Sequence, residues 1–105
     1  MEIWKPVIGF EGLYEVSDCG HVRSLRFRCR VVDKLRATPR ILTNKLSRGY
    51  HVVELSRNDV RSTKAVHRLM LESFVGPCPP GHETAHRDGK STHNILSNLL
   101  WATPL

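Results

Sequence analysis

The sequence predicts an α+β fold in which short antiparallel strands accompany one central helix. β-prone runs bounded by turn residues fill most of the first 65 residues, apolar residues follow helical spacing over 65–76, and two short strand candidates flank Asp88-Gly89. With 105 residues, the chain is expected to form one small domain around one core.

The first quarter predicts two strands joined by a turn. Tyr14 to Val16 is β-prone, and Ser17-Asp18-Cys19-Gly20 has turn composition, with Gly20 free to take a positive φ. His21 to Leu25 alternates polar and apolar residues, which favours a second strand. The aromatic residues here are expected to pack in the core or at an edge, with stacking on bases as the alternative; they are Trp4, Phe10 and Tyr14.

The next stretch is strongly basic. The chain carries a net charge of +6, and nine basic residues with one acid, Asp33, lie between Arg23 and Arg48. Alternate positions of a strand share one face, so this pattern favours a surface that follows phosphates, while a charged edge strand that prevents aggregation is the alternative. Thr38-Pro39 is expected to break the chain, and residues 40–46 to form a short strand or turn. The predicted DNA contacts in this stretch are Arg23, Arg26, Arg28, Arg30, Arg36, Arg40 and Arg48.

A hairpin and the helix follow. Tyr50 to Leu55 and Val60 to Ala65 are predicted strands around a turn at Arg57-Asn58-Asp59. The helix over 65–76 is ended by Gly76 and cannot continue through Pro77. His67 on this helix is interpreted as an interior or interface histidine with a hydrogen bond, and a role facing the site is the alternative.

The last quarter contains the residues that are candidates for catalysis and metal binding. A strand carrying His86 leads through the Asp88-Gly89 turn and a polar loop to Asn98, which opens the run Leu99-Leu100-Trp101. A neutral imidazole can accept a proton near pH 7, and an amide oxygen is a hard donor that suits magnesium. This pattern predicts half of a metal-assisted nuclease site.

Other classes of protein are disfavoured. The three cysteines are widely spaced without a C-x-x-C pair, which argues against a zinc ribbon or a disulfide framework and favours reduced, partly buried thiols. No apolar run approaches the ~18 residues that span a bilayer, and the first residues do not resemble a signal peptide. A cytoplasmic protein without a membrane partner is therefore expected.

Two stretches resemble known families. Residues 66–104 carry a "vHRL" helix, a hairpin with "H-x-D-G", and then "N-x-x-x-N-L-x-W-x-T", which is similar to the HNH endonucleases of phages and mobile elements. Residues 2–25, EIWKPVIGFEGLYEVSDCGHVRSL, resemble the nuclease-associated modular DNA-binding motif (NUMOD) that often precedes them. The resemblance divides the chain into a basic DNA-binding region over 1–48 and a nuclease region over 49–105, within one compact unit.

The resemblance also implies a mechanism and site roles. It implies a ββα-metal core that hydrolyses DNA, with double-stranded DNA as the expected partner and Mg²⁺ or Mn²⁺ as the cofactor; a homodimer is left open. His86 would be the general base and Asn98 a metal ligand. Asp88 is a turn residue or a water-mediated ligand, His93 an extra ligand or merely exposed, and Asn94 a loop-stabilising amide. Arg87 and Lys90 are expected to grip phosphates.

Two departures from the family pattern support an alternative. Many members place a metal-binding Asp, His or Asn directly before the base, where this chain has Ala85. In the family the second strand leads into a helix that completes the ββα unit; here Thr103 and Pro104 suit its N-cap and first position just before the sequence ends. We therefore expect that this helix is truncated, that it is supplied otherwise, or that the site is inactive. The alternative is therefore an inactive HNH-derived module that binds DNA or inhibits a host protein.

Overall fold

Nine short strands and one α-helix make up the part of the chain that the computed structural model describes, residues 2–27 and 34–103. This arrangement confirms the predicted α+β class. The predicted start of a last helix at Thr103-Pro104 reaches beyond the described residues. In chain order the elements are β1 Trp4–Pro6, β2 Tyr14–Ser17, β3 Val22–Phe27, β4 Lys34–Ile41, β5 Lys45–Ser47, β6 Tyr50–Arg57, β7 Val60–Ala65, α1 Val66–Phe74, β8 Glu83–His86 and β9 Leu99–Ala102, with a 3₁₀ turn at Leu96–Asn98 before β9.

The first sheet is antiparallel with the order β1-β2-β3-β4. Val16 and Val22 face each other across β2 and β3 and are both fully buried, so this pair anchors the sheet to the core. The predicted turn between the two strands is present, and Gly20 has a φ of +84°. A glycine is favoured at such a left-handed position because a Cβ is strained there.

The predicted break at Thr38-Pro39 is wrong, because β4 runs through both residues. The pairing with β3 shifts register in this region: Leu35 pairs with Arg26, whereas Arg40 pairs with Ser24. Proline lacks an N–H donor but is tolerated at a bulge or on an edge strand, and β4 is an edge strand with a bulge. The proline therefore disturbs the ladder without ending the strand.

The second sheet has the order β5-β6-β7, and two tight hairpin turns connect its strands. Arg48 and Gly49 have φ values of 53° and 84°, and Asn58 and Asp59 have values of 52° and 63°. Two consecutive positive φ values are the mark of the type I′ turn, whose twist suits a two-residue hairpin. The predicted hairpin around residues 57–59 is confirmed.

The predicted helix is also confirmed. α1 buries Val66, Leu69 and Met70, which recur at helical spacing and face the sheets. The N–H groups of Val75 and Gly76 both bond to the Leu71 carbonyl at 2.9 Å, and Gly76 has a φ of +136°. This glycine and Pro77 after it end the helix as predicted.

Both halves of the chain contribute to one core. Three buried valines come from the first 22 residues, and the others come from β6, α1 and β9. Side chains also cross between the halves, since the Tyr14 hydroxyl accepts the Ser56 N–H at 3.1 Å and Ser73 Oγ donates to the Pro6 carbonyl at 2.9 Å. The buried apolar cluster is Val7, Val16, Val22, Val53, Leu55, Val66, Leu69, Met70, Leu71 and Leu99.

Two expectations from composition concern thiols and membranes. Cys78 is a half-buried free thiol, whereas Cys19 is free but exposed rather than partly buried; Cys29 lies outside the described residues. Across residues 2–27 and 34–103, no helix combines the length and the apolar character that a bilayer span requires.

Candidate active site

The candidate site lies at the turn end of the β8–β9 hairpin. His86 is the last residue of β8 and pairs with Leu99, and the Arg87 N–H extends the ladder by bonding to the Asn98 carbonyl at 2.7 Å. The predicted Asp88-Gly89 turn follows, with Gly89 at a φ of +75° and its N–H on the His86 carbonyl at 3.0 Å. The end of a strand therefore holds the backbone of His86 rigidly.

A single amide orients the imidazole of His86. Its Nε2 lies 2.9 Å from Asn94 Oδ1, and Asn94 is only 6% exposed. Because an amide oxygen accepts but does not donate, this contact is a hydrogen bond when Nε2 carries the hydrogen, and in the neutral ring the lone pair then lies on Nδ1. In that tautomer Nδ1 is the atom that can accept a proton. Asn94 Nδ2 is buried without a hydrogen-bond partner, so the loop-stabilising role of this amide stays a prediction.

Two aromatic side chains complete the surroundings of His86. The His67 ring meets it edge-on at 5.2 Å between centroids, and the Tyr50 ring lies 5.0 Å from His67 and 6.3 Å from His86. His67 is buried, and its Nδ1 has no hydrogen-bond partner, so the bond predicted for an interior histidine is absent at that atom. Burial, and then the nearby charges of His86 and Arg68, lower the pKa of His67 to about 4. His67 therefore stays neutral beside the candidate base.

Asp88, His93 and Asn98 bond to one another. Asn98 Nδ2 donates to Asp88 Oδ1 at 3.0 Å and to the His93 carbonyl at 2.9 Å, while Asn98 Oδ1 accepts the Asp88 N–H at 3.1 Å. Asp88 also accepts the Lys90 N–H at 2.9 Å and contacts His93 Nδ1 at 2.5 Å. The Lys90 N–H, followed by the bonds from His93 and Asn98, holds the pKa of Asp88 far below its usual range. The three predicted ligands thus brace the loop between the strands.

Hydrogen bonds within the loop leave these side chains few free lone pairs for a divalent cation. Asn98 uses both hydrogens of its amide group and one of the two lone pairs of its oxygen, and Asp88 accepts two hydrogen bonds at Oδ1 and one contact from His93 at Oδ2. In the part of the chain that the structure describes, no three histidine, cysteine or acidic side chains form a group able to hold a metal. Ala85, beside the candidate base, offers no side-chain donor. Metal binding by Asn98, Asp88 and His93 therefore stays a prediction.

The first sheet touches this loop at its β2–β3 turn. A Cβ placed on Gly20 would lie 2.5 Å from the Asn94 carbonyl oxygen, which shows how closely the two backbones approach. The Leu96 N–H donates to the Asp18 carbonyl at 2.9 Å. From the second sheet, the Gly49 carbonyl accepts the Ser91 hydroxyl at 2.5 Å. Both sheets thus contact the loop that carries Asn94.

The predicted DNA-binding residues differ in their contacts and in their positions in the fold. Arg23 is already engaged: it bonds Glu15 at 2.6 and 2.8 Å and lies 4.1 Å over the Trp4 ring. Arg48 is exposed in the β5–β6 turn, next to the Gly49 carbonyl that accepts the Ser91 hydroxyl of the loop between β8 and β9. Arg26 lies on β3 and Arg36 on β4, whereas Arg28 and Arg30 lie outside the described residues. The other exposed members of the predicted set are Arg40, Arg87 and Lys90.

Sequence reasoning missed Tyr50, Gly20 and Asn44 as neighbours of the site. Tyr50 was interpreted as a strand residue, yet its side chain is 41% exposed and its ring faces two histidines. Asn44 Nδ2 donates to the Gly20 carbonyl at 3.1 Å. Nothing in the local pattern of Gly20 or Asn44 indicates these long-range contacts, whereas the alternation around Tyr50 would have allowed an outward-facing side chain.

Comparison with known proteins gives matches over both parts of the chain. The NUMOD4 motif matches residues 2–56, and the HNH endonuclease family matches residues 64–105. DNA endonuclease I-HmuI of Bacillus phage SP01 is 31% identical over 95% of this chain and 52% of its own length. An uncharacterised HNH endonuclease of Acanthamoeba polyphaga mimivirus is 29% identical over 93% of this chain and 26% of its own length.

A solved structure agrees with the sequence relatives. A structure described as DNA binding and cleavage by the HNH homing endonuclease I-HmuI matches with a TM-score of 0.77 and 30% identity, over 96% of this chain and 52% of that one. The chain therefore spans about half the length of the phage relative and about a quarter of the mimivirus one. The chain belongs to the NUMOD4 family, whose motif spans more than half of it, and its remaining part, residues 64–105, matches the HNH endonuclease family.

Proposed function

We propose that this chain is a DNA endonuclease in which His86 is the general base for phosphodiester hydrolysis. The observation that carries the proposal is the hydrogen bond between His86 and Asn94 on the hairpin of the region that matches the HNH endonuclease family. That bond leaves Nδ1 of the half-buried His86 with a lone pair. A water molecule beside Nδ1 would lose a proton to the imidazole as its oxygen attacks phosphorus. The bond between phosphorus and the leaving sugar oxygen would break, and that oxygen would take up a proton from solvent.

The orientation of His86 supports this role. General-base catalysis contributes about 10²- to 10⁴-fold to a rate when the base is neutral and positioned. Asn94 fixes the ring through Nε2, and the buried His67 contributes no charge near neutral pH. The imidazole is therefore held in the protonation pattern that proton abstraction needs.

DNA is proposed as the substrate on electrostatic grounds and by similarity. Exposed basic side chains lie on the loop after His86, at Arg87 and Lys90, and on the adjoining β5–β6 turn, at Arg48. The related I-HmuI structure is described as binding and cleaving DNA. We further propose that the duplex runs along this basic side, so that a phosphate comes within reach of Nδ1.

The metal requirement is proposed from family resemblance. A bound Mg²⁺ or Mn²⁺ would offset the negative charge that develops on the phosphate. Hydrogen bonds within the loop leave Asn98 and Asp88 few free lone pairs for such an ion, and no contact between His86 and the ion is proposed. The Mg²⁺ or Mn²⁺ dependence of the activity, including its loss with EDTA, is part of the test below.

Nicking of supercoiled plasmid tests the proposal. The protein is incubated with Mg²⁺ or Mn²⁺ between about pH 6 and pH 9, and nicked DNA is quantified on gels. His86→Ala should lose at least about 100-fold in rate because the base is removed. His82→Ala is the matched control, since His82 lies in the connector before β8 and bonds to the Pro80 carbonyl. A His86→Ala protein that nicks as fast as the control contradicts the assignment.

A second candidate function is supported by Ala85 and by the occupied donors of Asn98 and Asp88. On this alternative the chain is an inactive HNH-derived module that binds DNA or a host protein. It predicts DNA binding that falls steeply with salt but no metal-dependent nicking at any pH. Metal-dependent nicking that is lost in His86→Ala excludes this alternative.

A further inference from the structure

We propose that the β2–β3 turn of the NUMOD4 motif positions the catalytic histidine, with Gly20 acting as a positioning residue through Asn94. This inference rests on the proposed role of His86. On this proposal the Ser17–Gly20 turn holds Asn94 in the position that orients His86, in addition to any part that the motif has in binding DNA.

The first step is the contact between Gly20 and Asn94. A Cβ on Gly20 would lie 2.5 Å from the Asn94 carbonyl oxygen and 3.0 Å from Asn94 Cβ. Carbon and oxygen atoms without a bond do not approach this closely, so only a residue without a side chain allows the two backbones to meet. Gly20 also holds a φ of +84°, which disfavours other residues independently.

The second step is the rigidity of the turn. Ser17 is fully buried, and its Oγ accepts the N–H groups of Cys19 and His21, each at 3.1 Å. The Asn44 amide donates to the Gly20 carbonyl at 3.1 Å. Hydrogen bonds from both Ser17 and Asn44 therefore hold the turn in one conformation, and the turn presents a fixed surface to the loop.

The third step links the loop to His86. The Leu96 N–H bonds to the Asp18 carbonyl at 2.9 Å, two residues after the Asn94 that packs on Gly20. Asn94 in turn places its Oδ1 2.9 Å from His86 Nε2. A shift of the turn would move Asn94 and lengthen this bond, and the imidazole would lose the acceptor that selects its tautomer.

The decisive experiment compares Gly20→Ala with Gly12→Ala. Gly12 lies in the same motif with a φ of +81°, but a Cβ there would meet nothing within 4 Å. The two variants thus share the backbone strain and differ in the clash with Asn94. We expect kcat for plasmid nicking to fall roughly 10- to 100-fold in Gly20→Ala relative to Gly12→Ala, as for a reacting group displaced by about 1 Å. DNA affinity should differ little between the two variants, whereas Tm should be lower in Gly20→Ala because of the clash, so both are assayed at a temperature at which both are folded.

A double-mutant cycle tests whether Gly20 acts through Asn94. If it does, Gly20→Ala adds little to the kcat loss of Asn94→Ala, so the two effects are not additive. Additive losses, or a Gly20→Ala protein that loses only DNA affinity, overturn the proposal. Should Gly20→Ala fail to fold, Asn44→Ala replaces it, because it removes the bond to the Gly20 carbonyl without adding an atom.

Imidazole nitrogen chemical shifts separate this proposal from the proposed function. In the full chain without DNA, ¹⁵N NMR should show His86 as the Nε2–H tautomer, and this signature should change in Gly20→Ala but not in Gly12→Ala. A wild-type chain that does not nick DNA contradicts the nuclease function and leaves this readout intact. An unchanged tautomer in both Gly20→Ala and Asn44→Ala contradicts the positioning role.

Discussion

At the scale of single residues, the most unusual group is His67. It is almost fully buried against Tyr50 and His86, its Nδ1 has no partner, and burial lowers its pKa from 6.5 to about 4. Between those two pH values the unfolded chain binds a proton at His67 that the folded chain does not. The free energy of unfolding therefore rises with pH across this window and decreases as the pH falls toward 4.

This linkage gives a prediction for stability. His67→Phe keeps an aromatic ring and removes the titration, so its Tm should fall less between pH 7 and pH 4.5 than the Tm of the wild type. Thermal unfolding followed by circular dichroism at several pH values measures the difference. His82→Ala serves as the control and should follow the wild type. Equal acid sensitivity of wild type and His67→Phe would contradict a neutral, buried His67.

Two arginines of the predicted DNA surface should behave differently. Arg23 lies opposite Glu15 in the β2–β3 ladder and bonds it twice, whereas Arg48 is exposed in a turn beside the loop between β8 and β9. Arg48→Ala should weaken DNA binding and reduce the slope of log K against log [salt] by about 1, because one phosphate contact is lost. Arg23→Ala should instead lower Tm and leave the salt slope nearly unchanged. Fluorescence anisotropy with a labelled duplex at several salt concentrations tests both, and an unchanged salt slope for Arg48→Ala would remove it from the DNA-facing surface.

At the scale of elements, the loop between β8 and β9 depends on Asn98. Its amide makes three hydrogen bonds, to the Asp88 N–H, to Asp88 Oδ1 and to the His93 carbonyl. Asn98→Ala leaves these groups without that partner and should lower the free energy of unfolding by about 1–3 kcal/mol in metal-free buffer. Ser97→Ala, an exposed neighbour in the same 3₁₀ turn, is the control. Denaturant unfolding measures this difference. If Asn98 served only as a metal ligand and did not stabilise the loop, Asn98→Ala would leave the free energy of unfolding in metal-free buffer unchanged.

The elements also show what sequence patterns could predict. The hairpin at Asn58-Asp59 and the helix that Gly76 ends were predictable, because turn chemistry and apolar spacing are local properties. The break at Thr38-Pro39 was wrong because a proline, although it lacks the N–H donor, is tolerated at a bulge or on an edge strand, and β4 is an edge strand whose pairing with β3 shifts register.

The sequence indicated which residues lie at the candidate site, but it did not indicate the hydrogen bonds between them. The motif brought His86, Asp88, Asn94 and Asn98 together, and the structure places them around one loop. It could not indicate that Asn94, rather than Asn98, bonds the imidazole, because both amides follow His86 within one loop. The approach of Gly20 was equally hidden, since it joins residues from the two ends of the chain.

At the scale of the whole molecule, the shared core predicts that the two family regions do not fold separately. Val7, Val16 and Val22 pack in the same buried cluster as α1 and Leu99, and Arg57 Nη1 bonds to the Gly9 carbonyl at 2.5 Å. Each half alone would expose part of this cluster, and small domains have little stability to lose.

Fragments of residues 1–56 and 57–105 should therefore lack cooperative thermal unfolding, while the complete chain unfolds in one transition. Circular dichroism and ¹H–¹⁵N spectra of each fragment, and of their mixture, measure this. A sharp unfolding transition in the isolated 1–56 fragment would show that the boundary between the regions is an independent domain boundary. The proposed division at residue 48 and the homodimer that the sequence leaves open stay predictions.

The close approach at Gly20 also bears on protein engineering. On the proposed function, the chain could be used in chimaeras, in which the HNH region is joined to a different DNA-binding segment so that another sequence is cleaved. If the incoming segment presents a methyl group where this chain presents a bare α-carbon, the hybrid would reach its new target yet cleave it slowly. A replacement segment should therefore be chosen for a turn that fits closely against Asn94, as well as for the DNA sequence that it recognises.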